Sequence, residues 1–321
     1  MGRLVRPGVG GRLECHTQQV MFACTEDWDR FRYSVKNRHR YVLGPSLLGR
    51  KNCDGLLSHE HFLEWLLYFL KERNRFVKLD KGTVLWRAQL DGTAETPRPI
   101  TVGEEEWGMR AILTPHGRDR MIPYPDKAKE GRINPKGIPC LYAATHPRVA
   151  LTEMKPSIGY YLTLAEFLTA RELRLVDFAS EPIEIAESDN GPTNDEMDSL
   201  LWEHINDAFA EPVTNTDDVA DYAPTQILGE LFKCAGYDGI RYKSKYSEFE
   251  SLQPWGSQER VDEIRAAKPS AGLNVALFKI ADAEFTTSRL YRFAVNTHGQ
   301  FDFREVKMDV LCSDQIPDLR P

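Results

Sequence analysis

The chain lacks an apolar run long enough to cross a bilayer. Its most hydrophobic stretch, LEWLLYFL, is interrupted by Glu64 and falls well short of the roughly 20 residues a spanning helix needs. MGRLVRPGVGG offers no apolar signal core, and Arg6 stands where a myristoylation motif requires Ser or Thr. These absences predict a soluble, cytoplasmic protein. Disulfide and zinc spacings are missing too: the six cysteines, at positions 15, 24, 53, 140, 234 and 312, contain no CxxC pair, which fits reduced thiols. His59 and His61 flank Glu60 without completing HExxH, so no metal is expected. GVGG near the start has no preceding strand to make it a dinucleotide fingerprint. Positive charge is not in excess either: the net charge is −7 over 321 residues, which argues against general nucleic-acid binding.

What is there suffices for a sizeable core. Hydrophobic residues make up 41% of the chain, enough for one large or two modest domains. Residues 28 to 51 interleave Arg30, Arg32, Lys36, Arg38 and Arg40 with Trp28, Phe31, Tyr33 and Tyr41. This reads as a helix with a packed aromatic side and a wet basic side, or else as a surface for nucleic acid or an acidic partner. SHEHFLEWLLYFLKERNRF places Phe62, Trp65, Leu66, Phe69 and Leu70 on one face of a core helix. KGTVLWRAQL reads as a strand in which Arg87 shares a face with Leu85, so the question is which anion that arginine meets. The stretch from Asp91 to Glu130, rich in Pro, Gly and charge, reads as a long loop. Beyond it, GYYLTLAEF, ELRLVDF, LNVALF, RLYRFAV and QFDFREV read as strands, the last two as a hairpin across NTHG. NDEMDSLLWEHINDAF and PTQILGELFKCAG read as helices, the second closed by Gly236. YDGIRYKS is a strand that delivers Ser244, and a long polar loop follows it.

One segment concentrates chemistry. In GRINPKGIPCLYAATHPRVALTE, Pro135 and Gly137 make a loop and IPCLYAA a short strand. Thr145 or His146 caps a helix that Pro147 opens. Val149, Ala150 and Glu153 share a face of that helix, and Pro156 stops it. A carboxylate therefore points back toward the strand that carries Tyr142. An acid in that position is a salt-bridged structural residue or a functional one.

With Arg87, Tyr142, Glu153 and Ser244 placed, the sequence resembles the RES domain family, named for its arginine, glutamate and serine. The resemblance rests on LWRAQ, GRINPKGIPCLYAATHPRVALTE, YAPTQILGELFKCAGYDGIRYKS and AGLNVALF, and runs from about Thr83 to Phe278. It implies an α+β fold, an ADP-ribosyltransferase-like mixed β core with flanking helices. It divides the chain into a small helical N-terminal extension, residues 1–80, and an NAD-binding RES domain, residues 81–321. It also implies an NAD+-consuming enzyme that cleaves the nicotinamide–ribose bond by hydrolysis or phosphorolysis, as a bacterial toxin or defence effector. By that resemblance Glu153 stabilises the ribosyl cation, while Arg87 and Arg132 hold the pyrophosphate. Tyr142 meets the nicotinamide riboside, Asn134 binds substrate, and Ser244 orients ribose or phosphate. NAD+ is then a substrate and not a cofactor, with inorganic phosphate the co-substrate if the reaction is phosphorolysis. An antitoxin or other inhibitory partner, autoinhibition by the N-terminal helices, or a homo-oligomeric block is expected to restrain it. Two departures stand out: Ala88 replaces the aromatic usual after the arginine in the short toxins, and the loop after Ser244 is long. Transfer of ADP-ribose to a macromolecule, and a non-catalytic module that contacts nucleic acid through the basic stretch, remain the alternatives.

Overall fold

Helix α1 (Thr25–Asn37) starts where the Asp27 carboxylate accepts from the backbone N–H of Cys24 at 3.1 Å, a reciprocal cap that satisfies an otherwise orphaned donor. Trp28, Phe31 and Val35 are buried, while Tyr33 is exposed and the Arg32 guanidinium lies 5.8 Å from the Trp28 ring centroid. The packed aromatic side that the spacing predicts is present in Trp28 and Phe31, while the basic residues Arg30, Arg32 and Lys36 are half-buried. The computed structural model describes residues 23–38, 40, 58–95, 98–102, 105–179, 193–211, 219–244, 272–295, 301–306 and 309–312. Tyr41, Arg50, Lys51, the long loop after Ser244 and the NTHG turn lie outside them. Helix α2 (His59–Glu72) is capped by Ser58 Oγ, which accepts from His61 N at 3.2 Å. It buries Phe62, Trp65, Leu66, Phe69 and Leu70, the five residues its periodicity selects.

The scaffold is α+β. Along the chain come β1 (Phe76–Leu79), β2 (Val84–Leu90), β3 (Thr93–Ala94), β4 (Arg98–Val102) and β5 (Glu105–Thr114). Helix α3 (Arg118–Met121), β6 (Leu141–Ala144), helix α4 (Pro147–Thr152), β7 (Tyr161–Thr169) and β8 (Leu173–Asp177) follow. After helices α5 (Asn194–Ala210) and α6 (Ala223–Cys234) come β9 (Gly239–Lys243), β10 (Leu273–Leu277), β11 (Ala283–Val295), β12 (Phe301–Val306) and β13 (Asp309–Cys312). Nine strands form one sheet in the order β1-β8-β9-β10-β6-β2-β7-β11-β12. Every pairing in it is antiparallel except β8 with β9. β2 pairs with β7 along its whole length but registers with β6 only at Trp86↔Ala144. The sheet therefore splits between β2 and β6.

Residues 91–130 are not the long loop their composition suggests. β3, β4 and β5 form a second sheet, in which β13, from the far end of the chain, pairs with β5. Strand propensity is weak and pairing partners decide it: here β3 and β4 nearby and β13 far along the chain.

Alternation sets the two faces of the large sheet. A row of side chains, Tyr242, Asn274, Ala144, Trp86 and Glu166, crosses it through directly opposed pairs, so these five project to one side. On that side α1, α2, α5 and α6 share one cluster with the strands, including Trp28, Phe31, Phe62, Phe178, Trp202, Phe232 and Ile240. The Phe178 and Trp202 rings stack at 4.2 Å. Leu151 of α4 packs on Ala88, Leu162 and Leu164 as a neighbouring cluster. The opposite side carries Leu85, Phe167, Leu175, Val275 and Met121. The boundary expected at residue 80 thus runs through a hydrophobic core shared by both parts. Among the described residues, no helix is long and apolar enough to cross a membrane.

Candidate active site

Glu153 ends α4 as its C-cap. His146 Nδ1 accepts from Arg148 N at 3.2 Å at the other end, and Pro147 occupies the first turn. A carboxylate at a helix C-terminus faces the negative end of the helix dipole, so it needs donors. Two are present. Ser244 Oγ donates to Glu153 Oε1 at 2.7 Å, and Asn274 Nδ2 donates to the same oxygen at 2.7 Å. Ser244 and Asn274 are both buried, and Glu153 is half-buried. Oε2 accepts no hydrogen bond among the described residues.

Arg87 sits at the split in the sheet. Opposed to Ala165 in β7, it leaves the strand on the side away from Trp86 and donates from Nη1 to the Tyr142 carbonyl at 2.8 Å. Its Nε is buried with no hydrogen-bond partner, and no carboxylate pairs with it among the described residues. Burial lowers its pKa to about 10, opposed by the nearby Cys140 and Tyr142. A buried cation without an anion is costly, and that cost is removed by a ligand that supplies the anion.

Tyr142 and Asn134 shape the loop beside them. The Tyr142 hydroxyl donates to Asn134 Oδ1 at 2.6 Å and accepts from Ile133 N at 3.1 Å. Asn134 Nδ2 in turn donates to the carbonyls of Lys129, Pro135 and Ile138. Residue 131 must be glycine, because a Cβ there would lie 2.5 Å from the Tyr142 hydroxyl. Helix α6 clamps the same loop: Thr225 Oγ1 donates to the Arg132 carbonyl at 2.6 Å, and Gln226 Nε2 to the Gly131 carbonyl at 2.9 Å. The Arg132 guanidinium donates to the Phe209 carbonyl. Asn134, expected to bind substrate, has its polar atoms committed inside the loop, and so has the Tyr142 hydroxyl. What they bring to the site is the shape of the loop and the half-buried Tyr142 ring.

Tyr242 links the two halves. Its buried phenol is pushed well up, first by burial; Arg132 opposes the shift and Glu153 adds to it. It therefore senses both charges. Tyr142 and Asn274 are diagonal neighbours across the β6–β10 pair, roughly 7–8 Å apart by strand geometry. The Glu153 cluster lies one such step from the residue that Arg87 touches, although no contact joins Arg87 to Glu153. At its split the sheet thus carries, on the helical side, an anchored carboxylate with one open oxygen and aromatic side chains, and, from the strand that faces the other way, an unpaired guanidinium that reaches the Tyr142 carbonyl.

A profile of the RES domain matches residues 108–296, more than half of the chain. The chain belongs to the RES domain family. No curated protein and no solved structure matches it. RES-domain proteins are associated with NAD+-related toxin activity. Tyr142, Glu153, Ser244 and Asn274 fall inside the matched RES segment, whereas Arg87 lies before it and joins the site only through the β2–β6 split. Ala88, in place of an aromatic, is buried beneath α4 of the RES domain. No group of three or more His, Cys, Asp or Glu suited to a metal occurs among the described residues.

Sequence reasoning missed Asn274 and Tyr242. Each sits in a strand segment, LNVALF or GIRYKS, that reads as core, where one polar residue looks incidental. The available signal was Asn274 itself, an amide inside an otherwise apolar strand, since a buried amide requires a partner.

Proposed function

We propose that this RES-domain protein cleaves the nicotinamide–ribose bond of NAD+. The observation that carries the reading is Glu153, held by Ser244 and Asn274 through Oε1 with Oε2 open. Nicotinamide departs from a cationic glycosidic bond as a neutral molecule and takes the bonding pair, so no general acid is required. One carboxylate then suffices where an ordinary glycosidase uses two. As the bond breaks, positive charge develops on the ribose ring, and Glu153 stabilises it by charge and by accepting from a ribose hydroxyl. Arg87, with its unpartnered buried Nε, takes a pyrophosphate oxygen, and Arg132 supports the same group. The Tyr142 ring stacks on the nicotinamide riboside. We assign Ser244 a positioning role, its hydroxyl donating to Glu153 Oε1.

The acceptor is water or inorganic phosphate. Water adds its oxygen to the anomeric carbon and loses a proton, giving ADP-ribose. Phosphate adds an oxygen instead, giving ADP-ribose-1''-phosphate. Acting on a cytoplasmic pool, either reaction depletes NAD+ and arrests growth, so a toxin of this kind has an antitoxin-like partner. The test is purified protein incubated with NAD+, with and without phosphate, and chromatography of the products. Nicotinamide release with one of the two ADP-ribose products is expected; intact NAD+ after incubation with folded protein would refute the proposal.

A further inference from the structure

We infer that Asn274 is a positioning residue for Glu153, fixing one carboxylate oxygen so that the other meets the ribose with its charge undiminished. The inference rests on the NAD+-cleaving role proposed for Glu153. An ionised carboxylate only accepts hydrogen bonds, so the Asn274 atom 2.7 Å from Oε1 is the amide nitrogen. The contact is built into the backbone. The Thr145 N–H donates to the Leu273 carbonyl at 2.8 Å, and Leu273 N donates to Thr145 Oγ1 at 3.0 Å. These bonds tie the chain entering α4 to the start of β10. At Gly272 a Cβ would fall 2.2 Å from Val149 Cγ2, so only glycine lets the strand approach the helix that closely. Asn274 is thereby carried to the end of α4, where Glu153 is.

The chemistry of the anchor matters. Lysine or arginine at position 274 would orient the carboxylate equally well but offset the charge that the ribosyl cation requires. A neutral amide orients without neutralising. Ser244 supplies the second donor on a freely rotating hydroxyl, so the amide is the more rigid of the two restraints. The side-chain oxygen Oδ1 of Asn274 accepts no hydrogen bond among the described residues. The other groups that sense this carboxylate include the Tyr242 phenol, which Arg132 also influences.

The experiment compares the wild type, Asn274→Ala and Asn274→Asp in the full-length protein. Asn274→Ala should lower kcat on the order of 10- to 100-fold with little change in KM for NAD+, as a misplaced reacting group does. Asn274→Asp places a second acid against the first, and two carboxylates sharing a site raise the apparent pKa of one of them. The acidic limb of the kcat profile should then move up by about one pH unit or more. A merely structural role would lower the melting temperature and leave that limb in place. Carbon-13 NMR titration of the Glu153 carboxyl, assigned with Glu153→Gln and recorded without NAD+, reads the same contact independently of turnover. If the wild type releases no nicotinamide, the functional reading fails, while the titration still tests the contact. Wild-type kcat and an unmoved limb in both variants, or an unmoved carboxyl titration in Asn274→Asp, would overturn the inference.

Discussion

At the scale of single residues, neither Glu153 nor Arg87 has an ion-pair partner among the described residues. Buried Asp177 differs, gripped by Arg241 with bonds of 2.9 and 2.6 Å. The contrast supports the proposed roles of the two groups in binding a ligand. Arg87→Lys should raise KM for NAD+ sharply, because a point charge cannot reproduce a bidentate fork; steady-state kinetics will show it. Burial also makes the charged form of Arg87 unfavourable, so its pKa falls from 12.5 to about 10. The sign follows: between those values the unfolded chain holds a proton that the folded one has released, so stability rises with pH there. At neutral pH the penalty is present in full, and on the proposed reading a bound pyrophosphate relieves it. ADP-ribose at about 100 times its Kd should therefore stabilise the wild type by roughly 2.7 kcal/mol, seen as a rise in melting temperature. Arg87→Ala at the same ligand concentration should show a much smaller rise, and an equal one would remove Arg87 from the binding site.

The elements divide into those that were legible in the sequence and those that were not. Helices α1, α2, α5 and α6 follow from local periodicity, because each buries a single face, and the strands of the large sheet other than β1 follow from short apolar runs. Sheet residues 93–114 did not follow: their Pro, Gly and charge mask the local β3 and β4 pairings with β5, and no local pattern records the partner β13 from Asp309–Cys312. The site divides the same way. Glu153 was legible because Pro147, the cap and the short helix fix its direction. Asn274 was not, because its meaning depends on Gly272 allowing α4 and β10 to touch. Helix α6 offers a test at this scale. A Cβ on Gly229 would meet the Ile133 carbonyl oxygen at 2.7 Å, and that atom belongs to the loop backbone and has little freedom to give way. Gly229→Ala should thus cost on the order of 1–3 kcal/mol in denaturant unfolding, and should raise KM by displacing Arg132. Unchanged stability and KM would show that the clamp does not set the loop.

Over the whole molecule, the N-terminal helices do not behave as an appendage. Trp28 and Phe31 from α1 and Phe62 and Trp65 from α2 lie in one cluster with Phe209, Phe232, Ile240 and Tyr242. That cluster underlies both α6, which clamps the loop of Arg132, and β9, which leads directly into Ser244. Phe31→Ala should cost about 3–5 kcal/mol by leaving a core cavity, measured by chemical denaturation. Removing residues 1–80 should leave the remainder unable to fold cooperatively; a sharp unfolding transition in the truncated chain would contradict the shared core. The proposed NAD+-consuming role asks that the nicotinamide ribose and the pyrophosphate be held at once, by a carboxylate on the helical face and a guanidinium at the split of the sheet. The most direct measurement of that central claim is nicotinamide release from NAD+ by the wild type and by Glu153→Gln side by side, with both shown to be folded. The account predicts release by the wild type and a loss of about 10²- to 10³-fold in the variant, the effect of removing one electrostatic stabiliser. Equal rates in the two proteins would contradict it.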